Sequence, residues 1–196
     1  MVRSDLSAAI KAVQHGDIIV YPTDTLYALG ADIFNEAAVK RVFALKNRPL
    51  DVPLPTAVSS VDEVEQIAFI DERIRKVATQ FLPGPLTLIL QKKPHVADIV
   101  TANSDKVAVR IPDHHLALDL LSEVGPLTVT SANVHGMETP VIIKNIKMQF
   151  TASDIAAYLD AGRLKGLPST IVDLTCKEPL IVREGTITKR EIMDAI

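Results

Sequence analysis

The sequence predicts an α/β protein built on an open, twisted sheet of mixed strand directions. Three observations carry that reading. Short apolar runs of strand character mix with amphipathic segments of helical period, without the strict strand, helix, strand repeat of an all-parallel sheet. The twelve prolines fall mainly at the ends of those runs and in loops. No internal repeat, low-complexity stretch or linker interrupts the chain, so residues 1–196 are expected to form a single domain.

The first helix is expected from about Asp5 to His15, with Leu6, Ala9, Ile10 and Val13 on one face, Ser4 as cap and Gly16 as stop. DIIVYP, residues 17–22, reads as a buried strand ended by proline. In NEAAVKRVFALK, Asn35 is placed to cap a helix, and Val39, Val42 and Phe43 have helical spacing. PLPTAV, residues 53–58, is a short strand. Ser60 and Glu63 make a capping box that opens the first of two short helices, over 61–68 and 71–82. FLPGPLTLILQKK leads from a Pro-Gly-Pro loop into a strand, and KVAVRIP gives another that Pro112 stops. HHLALDLLSEV is a helix ended by Gly125. PLTVTSAN, residues 126–133, is one strand with Ser131 and Asn133 at its carboxyl end. After a helix or turn near 141–149, STIVDLT and PLIVREG pair across a Lys-Glu-Pro turn. TKREIMDAI then closes the chain as a helix with a second capping box, Thr188 to Glu191.

Composition narrows the function. Apolar residues make up 47% and charged residues 23%, as in ordinary globular proteins. The net charge of −3 supplies no global field for nucleic acid, so any anion site depends on local cations. Cys176 is the sole cysteine, which excludes an intrachain disulfide and a cysteine zinc cluster; it is expected to be a buried thiol at a strand end. Asp5 and Lys11 break the amino-terminal apolar pattern, unlike a signal peptide, and no apolar run approaches the roughly 18–20 residues of a membrane span. A cytoplasmic location away from membranes is expected.

Familiar catalytic devices are missing from the sequence. There is neither a G-x-x-x-x-G-K-[ST] loop nor a G-x-G-x-x-G turn, so an ATP site here is of another kind. His15, His95, His114, His115 and His135 lack metal-ligand spacing, and no protein-held metal is expected. Polar clusters instead gather at strand and helix ends, in YPTDTLYALG, KNRP, VRIP, TSAN and LPSTIVDL, where open α/β sheets place ligands. Taken singly, each has an ordinary reading. Thr23, Asp24 and Thr25 make a turn after a strand, and Lys46 with Arg48 makes a solvated helix end that complements the dipole. Arg110 interrupts an apolar strand and needs either a protein partner or a ligand carboxylate. The hydroxyls and amide of TSAN serve phosphate oxygens or an Asx-type turn, and Ser169 and Thr170 carry the same two readings. Arg183 reaches a phosphate or pairs with Glu184.

In order and content, GDIIVYPTDTLYALG, KNRP, FLPGPLTLIL, VAVRIP, GPLTVTSAN and PSTIVDL with IVREG together resemble the YrdC-like family, the threonylcarbamoyl-AMP synthases of tRNA modification. The likeness runs from about residue 5 to residue 195. It implies the family's open, twisted α/β fold around a large concave basic cleft. The implied reaction joins L-threonine, bicarbonate or CO2, and ATP into threonylcarbamoyl-AMP and pyrophosphate. A partner threonylcarbamoyl transferase complex then carries the group to adenosine 37 of tRNA, and tRNA itself is a further possible partner. The family's Lys-x-Arg and Ser-x-Asn elements match Lys46, Arg48, Ser131 and Asn133, which the resemblance makes catalytic and, with Arg183, ATP-binding. Thr25, Arg110 and Ser169 are the implied threonine ligands, and Mg2+ is expected with the triphosphate. Two positions depart from the family pattern: Ala28 stands for a usual glycine and His135 for a usual serine. The short, single-domain form of the family is expected, without the additional carboxyl-terminal domain of longer relatives. Two other functions compete, a tRNA or double-stranded RNA binding protein without synthase activity and a carbamoyl-transfer module like that of HypF proteins.

Overall fold

The computed structural model describes residues 2–151 and 154–196. Along the first half of the chain run α1 (Val2–Gln14), β1 (Ile19–Pro22), β2 (Tyr27–Gly30), α2 (Glu36–Lys46), β3 (Thr56–Ala57), α3 (Val61–Ile67), α4 (Glu72–Phe81), β4 (Leu86–Gln91) and α5 (Asp98–Thr101). There follow β5 (Lys106–Arg110), α6 (His115–Val124), β6 (Leu127–Thr128), β7 (Thr130–Ser131), α7 (Ile143–Ile146), β8 (Ala157–Tyr158), β9 (Thr170–Asp173), β10 (Leu180–Arg183) and α8 (Lys189–Asp194).

The strands divide between two mixed sheets, one of four in the order β7-β2-β1-β8 and one of six in the order β10-β9-β4-β5-β3-β6. The α/β class and the mixed directions agree with the sequence reading, and PLTVTSAN explains why there are two sheets. Its first half pairs with β3, Thr128 opposite Thr56, and its second half with β2, Thr130 opposite Leu29. Between them Val129 N–H donates to the Pro55 carbonyl at 2.8 Å, so one extended stretch passes from the larger sheet to the smaller. The buried Tyr21 hydroxyl donates to the Thr128 carbonyl at 2.9 Å and fixes the crossing.

Burial follows the period of two along β4. Leu86, Leu88 and Leu90 are fully buried in the main core with Val42, Phe43 and Val77, while Thr87 and Ile89 point to the opposite face. A second cluster packs Ala9 and Val13 of α1, with Leu120 and Leu121 of α6, against Ile19 and Tyr21 of β1. Each large aliphatic side chain buried this way stabilises the fold by about 1.5–3 kcal/mol before the cost of ordering the chain.

Several elements were not visible in the pattern. β2 is four residues long and buried on both faces, so it shows no alternation; β8 has two residues and exists only through its pairing with β1. α1 starts at Val2, ahead of Asp5, with Ser4 inside the helix; the side chain of Ser4, the expected cap, lies outside the described residues. The Ser60 box is half made. Ser60 Oγ accepts from Glu63 N–H at 3.2 Å, but the Glu63 carboxylate takes the Ser59 N–H, one residue early. Cys176 is exposed rather than buried, because it falls in the turn that leaves the sheet after β9. The Thr188 to Glu191 box is complete, and Asn35 caps α2 through its side chain.

Gly185 fixes the geometry just after β10. A Cβ there would lie 2.6 Å from the Pro168 carbonyl oxygen and from Thr170 N. The Gly185 amide donates to the buried Thr170 hydroxyl at 2.9 Å, which holds the two segments together. Gly185→Ala is expected to lower stability by about 1–3 kcal/mol through this overpacking. Thermal unfolding measures it, and an unchanged midpoint would show that the backbone around Pro168 yields freely.

Candidate functional site

A cavity of about 530 Å³ opens between the two sheets. Its floor comes from the outward residues of the larger sheet, among them Thr87 and Ile89 of β4, Ala108 and Arg110 of β5, and Ile171 of β9. Tyr27, Ala28 and Ser131 of the smaller sheet line it as well, together with Thr25 and Ser169. Arg48, Arg110 and Arg183 all belong to the lining, and no aspartate or glutamate does. A polyanion or carboxylate entering this space therefore meets positive charge without a competing carboxylate on the wall.

The KNRP corner is divided by one backbone conformation. Asn47, the C-cap of α2, is left-handed with φ 52° and ψ 42°, a region asparagine tolerates better than most residues. The turn sends its two neighbours to different partners. Lys46 is 2% exposed, and its Nζ donates to the carbonyls of Ser131 (2.6 Å) and Asn133 (2.7 Å), with Asn133 Oδ1 at 3.4 Å. It is not a solvated helix end. Arg48 is half-buried on the cavity wall, where Nε donates to the Val52 carbonyl at 3.0 Å and an Nη donates to the Pro53 carbonyl at 2.8 Å.

Asn133 completes the corner from behind. Its Nδ2 donates to the carbonyls of Val134 and Met137, both at 2.9 Å, and its Oδ1 accepts from Ser131 Oγ at 2.5 Å. Of the Lys/Arg/Ser/Asn set, Arg48 and Ser131 line the cavity, while Lys46 and Asn133 are buried and hold the corner in place. His135 is exposed; its backbone N–H donates to the Lys46 carbonyl at 2.7 Å. Ala28 sits opposite Ser131 in the β2–β7 ladder.

Burial, followed by the nearby charge of Arg48, lowers the pKa of Lys46 to about 7, against the preference of its oxygen partners for an ammonium. From the ordinary value of 10.5 down to about 7, the folded chain binds fewer protons at this site than the unfolded chain. Stability contributed by Lys46 should therefore rise as pH increases across that window. The check is the urea midpoint of the wild type against Lys46→Met at several pH values. Parallel curves would mean that Lys46 keeps an ordinary pKa.

Arg110 has found a protein partner, and more than one. Its guanidinium donates to Asp24 Oδ1 (2.6 Å), to Thr25 Oγ1 (2.9 Å) and, through Nε, to the Gly84 carbonyl (3.2 Å). The ion-paired side chains are only 6% and 10% exposed. Burial lowers the Arg110 pKa and Asp24 opposes that shift. Asp24 Oδ1 also accepts the Asp113 N–H at 3.1 Å, and the Thr23 and Thr25 hydroxyls are 2.9 Å apart. The PTDT stretch is thus a turn, as its composition suggests, and a turn that sets the direction of a buried arginine.

On the far wall Arg183 does not pair with Glu184. Its Nε and one Nη both bind the Ser169 carbonyl, at 3.0 and 2.8 Å, and that Nη is 3.2 Å from Ser169 Oγ. Burial lowers its pKa from the usual guanidinium value. The Ser169 hydroxyl lies 3.1 Å from Thr87 Oγ1. Tyr27 braces the remaining side, because its hydroxyl donates to the Gly162 carbonyl at 2.7 Å and accepts the Ala161 N–H at 2.9 Å. Sequence reasoning left out Thr87 and Tyr27. Thr87 carried a signal, the one polar residue in an apolar LTLIL run; Tyr27 lay inside the YPTDTLYALG cluster without being singled out.

The Sua5/YciO/YrdC family model, described as "Telomere recombination", matches residues 11–185. The chain belongs to this family. A threonylcarbamoyl-AMP synthase of Pyrococcus abyssi is 38% identical over 188 residues, covering 94% of this chain and 55% of that protein. Another, from Yersinia enterocolitica, is 36% identical over 183 residues, with 90% and 95% covered. Among solved family structures, P. abyssi Sua5 complexed with L-threonine superposes with a TM-score of 0.93 at 35% identity, covering all of this chain and 58% of that one. The chain thus spans little more than half of the Pyrococcus relative and nearly all of the Yersinia one. A full-length HypF structure, at TM-score 0.76 and 18% identity, shares the fold alone. Among the described residues of this family member no helix is long and apolar enough to cross a membrane, and no group of three or more His, Cys, Asp or Glu is arranged to hold a metal.

Proposed function

We propose that the chain is an L-threonylcarbamoyladenylate synthase acting in the cytoplasm, with residues 1–196 as the catalytic unit. It joins L-threonine, bicarbonate or CO2, and ATP into threonylcarbamoyl-AMP and pyrophosphate. The product passes to a threonylcarbamoyl transferase complex that modifies adenosine 37 of tRNA. The observation that carries this reading is a cavity lined by three arginines and no carboxylate in a chain of this family. The names of the relatives favour a synthase over the RNA-binding alternative.

The chemistry asks little of the protein beyond positioning and charge. The neutral amine of threonine takes up CO2 to become a carbamate with loss of a proton. A carbamate oxygen then bonds to the α-phosphorus as the bond to the β-phosphate bridging oxygen breaks and pyrophosphate departs. No enzyme nucleophile is needed, so orientation and neutralisation of the phosphate charge supply the acceleration.

We assign the triphosphate to Arg48 and Ser131, with Arg183 reaching the nucleotide. Lys46 and Asn133 act through the corner they hold. Thr25, Arg110 and Ser169 receive threonine. With no carboxylate in the lining, a magnesium ion would be held by triphosphate oxygens and water and neutralise part of their charge.

The test is product formation by the purified chain with ATP, magnesium, bicarbonate and L-threonine, the nucleotides then being separated, with serine as control. Threonine-dependent threonylcarbamoyl-AMP and pyrophosphate support the reading. A folded protein that makes neither overturns it.

A further inference from the structure

We propose that Gln149, which touches no part of the cavity, is a positioning residue for the Ser131 and Asn133 corner and so for the nucleotide. Its geometry stands alone; the nucleotide it serves rests on the synthase reading. The chain turns directly after Asn133, with the Met137 N–H donating to the Val134 carbonyl at 3.0 Å. Asn133 holds this turn from inside through its Nδ2, and the Lys46 carbonyl takes the His135 N–H at 2.7 Å. That leaves the Val134 N–H at the entry and the Glu138 carbonyl at the exit. One side chain takes both: Gln149 Oε1 accepts from the Val134 N–H and Gln149 Nε2 donates to the Glu138 carbonyl, each at 2.9 Å.

Only a carboxamide can make this bridge. A backbone N–H only donates and a carbonyl only accepts, so each contact independently fixes which way the amide points. A glutamate would keep the entry bond and set an oxygen against the Glu138 carbonyl. A methionine of similar length would make neither bond.

The bridge is anchored in the core. Gln149 is partly buried, its N–H donates to the Ile146 carbonyl at 2.9 Å, and Ile146 and Phe150 on either side are buried in the main cluster at 0% and 6% exposure. Rigid support of this kind is what holds a binding group to its working geometry. What it supports lies at both ends of the turn. Ser131 precedes it and Thr139 directly follows Glu138, and both line the cavity. The residues assigned to threonine take their places from other contacts, Arg110 from Asp24 and the Gly84 carbonyl, Thr25 from Arg110, and Ser169 from Arg183. Loss of the bridge therefore falls on the nucleotide side of the cavity and spares the threonine side.

The experiment uses the full chain with Gln149→Met, which removes both bonds at similar volume, and Gln149→Glu, which keeps the entry bond. Apparent KM values for ATP and threonine are measured, ATP Kd is measured by calorimetry without threonine or bicarbonate, and amide hydrogen exchange at Val134 and His135 is followed by NMR beside the urea midpoint. For Gln149→Met, ATP KM and Kd should rise about three- to tenfold, the effect of losing one neutral hydrogen bond, with threonine KM unchanged. Both amides should exchange faster than the midpoint accounts for, and Gln149→Glu should restore slow exchange at Val134. Equal changes in both KM values, changes that merely follow the midpoint, or unaltered ATP affinity overturn the positioning role, and unaltered exchange overturns the bridge itself. Should the wild type bind ATP and make no product, a weaker ATP Kd in Gln149→Met upholds the proposal while the synthase reading falls. A wild type that binds no ATP overturns both.

Discussion

Asp24→Ala is expected to destabilise the fold by about 3–5 kcal/mol, the range for removing one partner of a buried ion pair. Arg110 and Asp24 are both close to fully buried and 2.6 Å apart, so the alanine leaves a guanidinium out of water with only neutral partners. It also frees the Asp113 N–H that Asp24 accepts. Asp24→Asn retains an acceptor for both donors and should lose much less stability. Urea unfolding at neutral pH separates the two variants. Threonine binding should weaken in each, because the direction of Arg110 depends on this contact. If Asp24→Ala unfolds at the wild-type midpoint, the pair is an incidental surface contact and the account of Arg110 is wrong.

Arg48→Ala should lower turnover about a hundredfold, the loss of roughly 2–4 kcal/mol that follows removal of one oriented charge contact in the transition state. Its stability should change little, since the guanidinium is half-exposed and its protein partners are two carbonyls of one loop. Lys46→Ala is a different experiment despite being two residues away. It empties a sealed site and strands the Asn133 carbonyl, worth about 1–3 kcal/mol when buried without a partner, while the Ser131 carbonyl keeps only the Asn133 N–H at 2.9 Å. Turnover and stability should fall together there. Single-turnover rates beside unfolding curves for both variants distinguish the roles, and full activity in Arg48→Ala would remove it from the site.

The class of fold, the longer helices and the larger strands were legible because each carries a period or a cap that the sequence spells out, whereas the four-residue α5, with no side-chain cap, was not expected. Asn35 and the Thr188 to Glu191 pair are local signals, and local physics produced them. The division into two sheets was not legible, because it depends on which partner each half of PLTVTSAN meets, not on the residues of that stretch. The same limit applied to the candidate site. Arg110 announced a need for a partner, but that the partner would be Asp24, in a turn so far away in the chain, is a tertiary fact. Lys46 and Arg48 looked alike in sequence and were separated by the left-handed Asn47 between them. Thr87 was visible only once its strand had two named faces.

The parallel ladder between β4 and β9 has a consequence for how the chain acquires its site. Leu86 meets Thr170 and Thr87 meets Ile171, so the floor closes across nearly half the sequence, after α5, β5, α6 and all that follows have been gathered in. The entropy of closing that loop is spent before the pairing returns anything, so this contact is expected to form late in folding. A chain that stops short of β9 can carry the KNRP and TSAN corners and still lack the strand that completes the floor.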